Sequence, residues 1–374
     1  MMGIAFALLL VIAGFAGLFP AVYRFKNHAF SGKQNHADIS FSILVACRNE
    51  AANLPRLIES IAGGHYPMHL LELIICDDHS TDETATVIKE VQAAAAFRIV
   101  FTEINAESGK KAAIRKAVEL ATSEHLFLTD ADCLLPEDLF PFLQEVIHSK
   151  APKILAGPVS YGGNHSFLHS YQCMESALLL ALTSDAFSKK QALMANGANI
   201  YVQKDLFMTA ESARTDFHIP GGDDVFLVQY AMKQFPHQTL FMASPANRVH
   251  TSSEKSWKDL INQRVRWAAK VKYQKHPAGM LWQYAAFVFA FIYAVCILGW
   301  PWMGWEIPAV LLVGKTTADW IIFRRLKSLF DYRFPNNHVL IYSIIQPFFI
   351  LIIGLKTALG NYTWKGRYFD KHPH

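Results

Sequence analysis

The sequence predicts an α/β domain, a mostly parallel mixed sheet with helices on both faces, flanked by N-terminal and C-terminal transmembrane helices. Three observations carry this. Between residues 41 and 148 short apolar runs alternate with stretches of helical period, as parallel sheets with crossover helices require. Several of those runs end on acidic residues, where ligands gather in open α/β sheets. The composition, 52% hydrophobic and 18% charged with 27 Phe, is divided: residues 40–275 are mixed, whereas both ends carry long apolar runs.

Taken in order, Met1–Pro20 is nearly uncharged and is followed by Arg24 and Lys26. A signal peptide places its basic residues before the apolar core and a small-residue cleavage site after it, and neither is evident here. Residues 1–22 are therefore expected to form an anchor, its basic flank cytoplasmic by the positive-inside rule. That places the central domain, 40–253, in the cytoplasm. Within it the pairs run Phe41–Ala46 then Asn53–Ile61, Glu72–Cys76 then Asp82–Ala96, Phe97–Phe101 then Lys110–Ala121, and His125–Thr129 then Glu137–His148.

At the end of the fourth run stand Asp130 and Asp132, one residue apart. In extended chain, positions i and i+2 point the same way, so both carboxylates can reach one divalent cation. Hard oxygen ligands favour Mg²⁺ or Mn²⁺. The same spacing also occurs on solvated turns; its place at a strand end argues for the cation. At the second strand end, Asp77 and Asp78 precede Ser80, Thr81 and Asp82, which can cap the next helix. Capping leaves Asp77 and Asp78 free to accept hydrogen bonds from a base or ribose. Ser108-Gly-Lys-Lys opens a helix without the glycine spacing of a phosphate loop, and Gly314-Lys-Thr-Thr lacks the earlier glycine, with Ala309 in its place. No strand is followed by the glycine fingerprint of a dinucleotide site.

Five cysteines show no Cys-x-x-Cys spacing, which fits buried thiols in a reducing compartment. A net charge of +4 is too small to argue for nucleic acid, so no nucleic acid partner is expected. The basic residues near the apolar ends suit anionic membrane lipids.

Four blocks in order, Ala46-Cys-Arg-Asn49-Glu50, Cys76-Asp-Asp-His-Ser-Thr-Asp, Gly109-Lys110 and Asp130-Ala-Asp132, resemble the family 2 glycosyltransferases with the GT-A fold. The resemblance implies two further motifs, and both are present. The acidic pair followed by two residues and Leu reads Gly222-Asp-Asp-Val-Phe-Leu227, with Asp223 where Glu is more usual and Asp224 at the catalytic position. Gln-x-x-Arg-Trp reads Gln263-Arg-Val-Arg266-Trp267. Asn196-Gly197-Ala-Asn is similar to the family's glycine-containing segment near the sugar and acceptor. Covering roughly residues 40–270, the resemblance implies an inverting, metal-dependent transfer from a nucleotide-sugar, a UDP-sugar by preference, to a lipid or glycan hydroxyl. Asp224 would be the base, Asp130 and Asp132 the metal ligands. Asn49, Glu50, Asp77, Asp78, Lys110 and Asp130 would hold the donor, and Asp223, Gln263, Arg266 and Trp267 would complete the site.

Gln263, Arg266 and Trp267 share one helical face, on an amphipathic stretch, 254–279, whose Arg264, Lys270 and Lys272 could rest on anionic lipid. His165, His169, His218 and His250 lack metal-ligand spacing and read as surface or satisfied histidines.

Beyond it, residues 280–360 hold Leu281–Met303 and Trp305–Phe323, apolar segments long enough to span a core of about 30 Å, and a third apolar segment, His338–Leu359. Lys315 and Asp319, four apart, would pair with each other or face protein. Counting spans sends the basic tail, 361–374, outside, whereas its Lys365, Arg367 and Lys371 favour the cytoplasm. Either His338–Leu359 lies partly in the interface or the Lys315/Asp319 segment does not cross.

Overall fold

The computed structural model describes residues 2–16, 18–32, 37–105, 107–163, 166–192, 194–213, 223–269, 277–330, 332, 334–359, 362–364 and 367–369. In chain order the elements begin with helices α1 (Met2–Ala16) and α2 (Leu18–Arg24), then β1 (Phe41–Cys47), α3 (Leu54–Ala62), β2 (Leu71–Asp77) and α4 (Thr84–Ala94). There follow β3 (Arg98–Glu103), α5 (Lys110–Leu120), β4 (His125–Asp130) and α6 (Leu139–Lys150). Next come β5 (Ile154–Ala156), β6 (Val159–Gly162), α7 (Phe167–Ser188), β7 (Ile200–Gln203), α8 (Lys204–Ser212), α9 (Asp223–Gln234), β8 (Thr239–Phe241) and β9 (Val249–Ser252). The C-terminal part is helical: α10 (Trp257–Ala269), α11 (Pro277–Leu298), α12 (Trp300–Met303), α13 (Glu306–Phe330) and α14 (Asn336–Leu359), closed by the hairpin β10 (Tyr362–Trp364) and β11 (Arg367–Phe369).

The chain forms two compact units, and the first to consider is 26–162 with 183–252. Its sheet has seven strands in the order β3-β2-β1-β4-β7-β5-β8. The four strands expected from the sequence pair in parallel. The last three make the sheet mixed, because β7 runs antiparallel to both β4 and β5. The central strands read as unbroken apolar runs because both faces are covered. Phe41, Ile43 and Val45 of β1 enter the core on one face with Leu57, Phe127 and Phe142. Leu44 enters the other with Ile74, Ala113 and Val118. Alternate residues of one strand thus feed two cores, and fully burying a Leu, Ile or Phe stabilises by about 1.5–3 kcal/mol. A second, two-stranded parallel sheet pairs β6 with β9.

The other unit comprises 1–25, 163–182 and 253–374. Among the described residues two stretches are long and apolar enough to cross a membrane, Ala7–Arg24, which takes in parts of α1 and α2, and Asn336–Leu359, which is α14. The apolar stretch of α11 is shorter, Gln283–Leu298, and α13 carries Lys315 and Asp319, both almost wholly buried. The sequence left open whether His338–Leu359 or the Lys315/Asp319 segment crosses fully; by length and composition it is His338–Leu359, within α14, that qualifies, and α13 with its charges that does not. Those charges are paired, as expected: Lys315 Nζ lies 2.6 Å from Asp319 Oδ2, which also accepts from Ser343 Oγ at 2.7 Å. All five cysteines are buried free thiols. Lys270, Lys272, Lys365, Lys371, His165 and His218 lie outside the described residues.

Candidate active site

Parallel pairing puts the tips of β1, β2 and β4 side by side: Cys47 is in register with Asp77, and Ala46 with both Cys76 and Asp130. Past the tips the chain turns sharply at Asn49 (φ 55°) and His79 (φ 59°), in the left-handed region that few residues other than Gly, Asn, Asp and His enter. The two loops are stitched together. The Asn49 amide oxygen accepts the Thr81 N–H (2.8 Å), and its own N–H donates to Ser80 Oγ (2.8 Å). The Glu50 N–H donates to Thr84 Oγ1 (2.9 Å).

Asp77 was expected to be free of local duty. Its carboxylate instead clasps Ser80, accepting the backbone N–H at 2.9 Å and also the hydroxyl. Asp78 is buried and meets His79 Nδ1 at 3.1 Å. None of the three capping candidates sits at the N-cap of α4, which is Glu83; Asp82, one residue earlier, accepts the Thr84 N–H at 3.1 Å.

The acidic centre lies at the end of β4. Lys110, first residue of α5, donates from Nζ to Asp130 Oδ1. It enters its helix from Gly109 (φ 102°), a backbone that requires glycine. Asp132 accepts from Thr251 Oγ1 of β9 at 3.0 Å. Burial, with the Asp130 charge beside it, holds the Asp132 carboxyl above the usual range, and the Thr251 hydrogen bond works against that rise. Asp224, at the start of α9, accepts the Gly197 N–H on Oδ2 (2.9 Å) and the Val225 N–H on Oδ1 (2.9 Å). A methyl group at Gly197 would stand 3.3 Å from both Asp224 Cβ and Lys110 Nζ. Asp130, Lys110, Gly197 and Asp224, drawn from four separate elements of the sequence, therefore meet at one place. Asp223 opens α9, but its side chain and Gly222 lie outside the described residues.

Two adjacent carboxylates that repel one another, one of them largely buried, suit a hard divalent cation. Among the described residues no group of three His, Cys, Asp or Glu side chains could hold a metal. A cation on Asp130 and Asp132 would take its further ligands from water and substrate oxygens, the habit of Mg²⁺ and Mn²⁺. His250 answers to Ser160 (2.8 Å), and its pKa is lowered by burial and by Arg248, a satisfied histidine as expected.

In the other unit, α10 carries Gln263, Arg266 and Trp267. Arg264 between them is buried instead of facing lipid. Its guanidinium lies 4.2 Å from the centre of the Trp267 ring, and its Nε donates to Glu175 Oε2 of α7 at 2.8 Å. Thr251 and Glu175 escaped the sequence reading because their partners lie 119 and 89 residues away.

A family description, glycosyltransferase-like family 2, matches residues 37–269, which take in every strand tip and motif above. The chain belongs to glycosyltransferase family 2. Among family relatives, poly-β-1,6-N-acetyl-D-glucosamine synthase of Staphylococcus epidermidis is 27% identical over 249 residues, 65% of this chain and 57% of that protein. β-Monoglucosyldiacylglycerol synthase of Nostoc sp. is 30% identical over 99 residues, 26% of this chain and 21% of that protein. The matched region thus spans little more than half of the first of these relatives. Of solved structures, a mannosyltransferase from Pyrobaculum calidifontis, in complex with GDP-Man and Mn²⁺, superimposes with a TM-score of 0.58 at 16% identity, over 96% of this chain and 99% of that one. That likeness shows a shared fold, the GT-A fold expected from the motifs.

Proposed function

We propose that this family 2 enzyme is an inverting, metal-dependent glycosyltransferase, moving a sugar from a nucleotide-sugar to a lipid or glycan hydroxyl at a membrane. The observation that carries the reading is the convergence of Asp130, Lys110 and Asp224 around Gly197, beside strand tips that end in Asp77 and Asp130.

Asp224 is the base. Two backbone N–H groups fix its carboxylate, and it takes the proton of the acceptor hydroxyl as that oxygen bonds to the anomeric carbon. The bond from that carbon to the diphosphate breaks, and one in-line displacement inverts the centre. Asp130 and Asp132 would hold a divalent cation, which would supply positive charge for the leaving diphosphate. Lys110, already on Asp130, can turn to the same phosphate oxygens. Asn49, Glu50, Asp77 and Asp78 shape the paired loops assigned to the base and ribose, UDP being the nucleotide that the family resemblance favours. Gln263, Arg266 and Trp267 keep their motif roles toward diphosphate and acceptor, and Asp223 its place beside the base.

Two relatives frame the acceptor: the name of one is that of a polysaccharide synthase, of the other a glycolipid synthase. The two apolar helices fit either product, with the catalytic domain cytoplasmic and membrane lipid at hand. The deciding experiment is nucleotide release from a panel of UDP- and GDP-sugars by detergent-purified protein, with Mg²⁺ or Mn²⁺ and lipid extract. One donor should turn over, only with cation, and Asp224→Asn should lower the rate about 10²–10⁴-fold. Binding without turnover under all acceptors would favour a silent nucleotide-sugar-binding scaffold, and no binding would refute the donor site.

A further inference from the structure

Arg264 stands in the second position of Gln263-Arg-Val-Arg-Trp267, a place that the motif leaves unspecified. Its side chain is 6% exposed, and that of its partner Glu175 is 19% exposed. A buried ion pair by itself is weak evidence of any purpose, since the cost of desolvating both charges offsets most of the attraction.

What distinguishes this pair is what else the guanidinium touches. One Nη donates to Gln263 Oε1, and the planar group stacks 4.2 Å from the Trp267 ring centre. Gln263 in turn donates from Nε2 to Glu254 Oε1 at 2.7 Å. Glu254 is itself tied to α7, its N–H donating to Gln172 Oε1 (2.8 Å) and its carbonyl accepting from Gln172 Nε2 (3.0 Å).

Gln172 and Glu175, three apart, share one face of α7. The circuit is closed: Glu175, Arg264, Gln263, Glu254, Gln172 and back to α7. Within it the Gln263 amide has its oxygen and one N–H engaged, which fixes its orientation and aims the second hydrogen of its NH₂ group. Only a flat, forked cation can stack on an indole and bond a carboxylate and an amide together; a lysine ammonium offers no plane to stack.

We propose that Arg264, held by Glu175, is the positioning residue of the Gln-x-x-Arg-Trp motif, fixing the Trp267 ring and the Gln263 amide in the orientation they need during transfer. That role rests on the proposed transfer activity, and Arg264 acts through Gln263 and Trp267.

The test uses the full-length protein in detergent with the donor found above, and Glu175→Gln, Arg264→Lys and their combination. These approach one contact from two helices with conservative changes, and thermal midpoints check that each variant folds. Each single change should lower kcat about 10–100-fold, as small misplacements of reacting groups do, with KM for the donor within about threefold. Because both act through one circuit, the double variant should be no slower than the slower single. A second readout needs no turnover: the Trp267 share of emission, obtained by subtracting the spectrum of the same variant carrying Trp267→Phe, should become more open to acrylamide quenching.

Additive losses, a rise in KM with kcat kept, or unchanged Trp267 quenching in active enzyme would each overturn the proposal alone. If the wild type turns over no donor at all, the transfer reading falls and takes the positioning role with it. The quenching arm would then report only a packing contact.

Discussion

Gly197 shows how little room separates the acidic centre from the chain beside it. Its backbone lies outside the left-handed region, so alanine meets no conformational penalty there. The added methyl would instead press on Asp224 Cβ and Lys110 Nζ, each 3.3 Å away. The lysine tip can yield, but Asp224 Cβ is fixed to the first turn of α9, so the carboxylate proposed as base has to move. Gly197→Ala should therefore lower turnover about 10–100-fold while leaving the thermal midpoint nearly unchanged, measured on the same preparation. Glu72 makes the opposite case, a carboxylate that serves stability. It accepts from Ser42 Oγ and from Thr122 N–H (2.7 Å) and Oγ1 (2.8 Å), and pairs with Arg98 (3.0 Å). Burial alone would raise its pKa; the Ser42 and Thr122 bonds and the Arg98 charge outweigh that and lower it below 4.5. A depressed folded-state pKa means that the stabilisation is complete above the unfolded value and is lost as pH falls through the folded one. Glu72→Gln should cost about 1–3 kcal/mol at pH 7, read as a lower melting midpoint, and the gap from wild type should narrow in acid below pH 4.5. At this scale the sequence disclosed residues whose partners were local or whose motif was recognisable. Thr251 was not legible, because a threonine on a four-residue strand signals nothing until β9 is set beside Asp132.

At the scale of elements, β1, β2 and β4 were readable because burial on both faces writes a continuous apolar run, which in β2 and β4 closes on an acidic residue, and the edge strand β3 was readable from its short run Ile99–Phe101. The later strands were not. β5, β7, β8 and β9 have three or four residues each, too short to show a period, and the reversal of β7 is a property of pairing that no local pattern announces. Helix α7 was hidden for a different reason: it carries apolar residues around much of its circumference, so no stripe set Gln172 and Glu175 apart from their surroundings. The pairing of α13 with α14 was half legible. The i,i+4 spacing of Lys315 and Asp319 foretold their ion pair, but Ser343 of α14, which joins Asp319 from the neighbouring helix, could not be inferred. That arrangement yields an asymmetric prediction. Lys315→Met alone leaves Asp319 buried without its cation and should destabilise by about 3–5 kcal/mol, whereas Lys315→Met with Asp319→Leu should be close to neutral. Melting midpoints in one detergent would check it, and a double variant as damaged as the single would show that the charges serve more than each other.

At the scale of the molecule, an enzyme proposed to act at a membrane carries a prediction of how often its chain crosses the bilayer. Length and composition favour two helices, yet α11 has 22 residues, enough at about 1.5 Å per residue to span a core of about 30 Å. Helix α13 has 25, and the two charges that disqualify it by composition are paired and buried within the protein, where a membrane tolerates them. Between these helices stand Trp300, Trp302 and Trp305, all exposed, as indole rings are at a headgroup boundary. At the far end of α13 come Arg324, Arg325 and Lys327, residues that favour the cytoplasmic side. Together these predict a hairpin that crosses and returns, with its tryptophan turn outside. The five native cysteines are buried, so single introduced cysteines can report sidedness cleanly. Trp302→Cys should react with an impermeant maleimide on intact cells, and Lys89→Cys on the exposed side of α4 only after permeabilisation. Labelling of Lys89→Cys but not of Trp302→Cys before permeabilisation would invert the proposed orientation. Silence of both positions until the membrane is opened would mean that α11 and α13 do not carry the turn across, leaving the charged segment on the cytoplasmic side and the apolar helices at the two ends as the anchors.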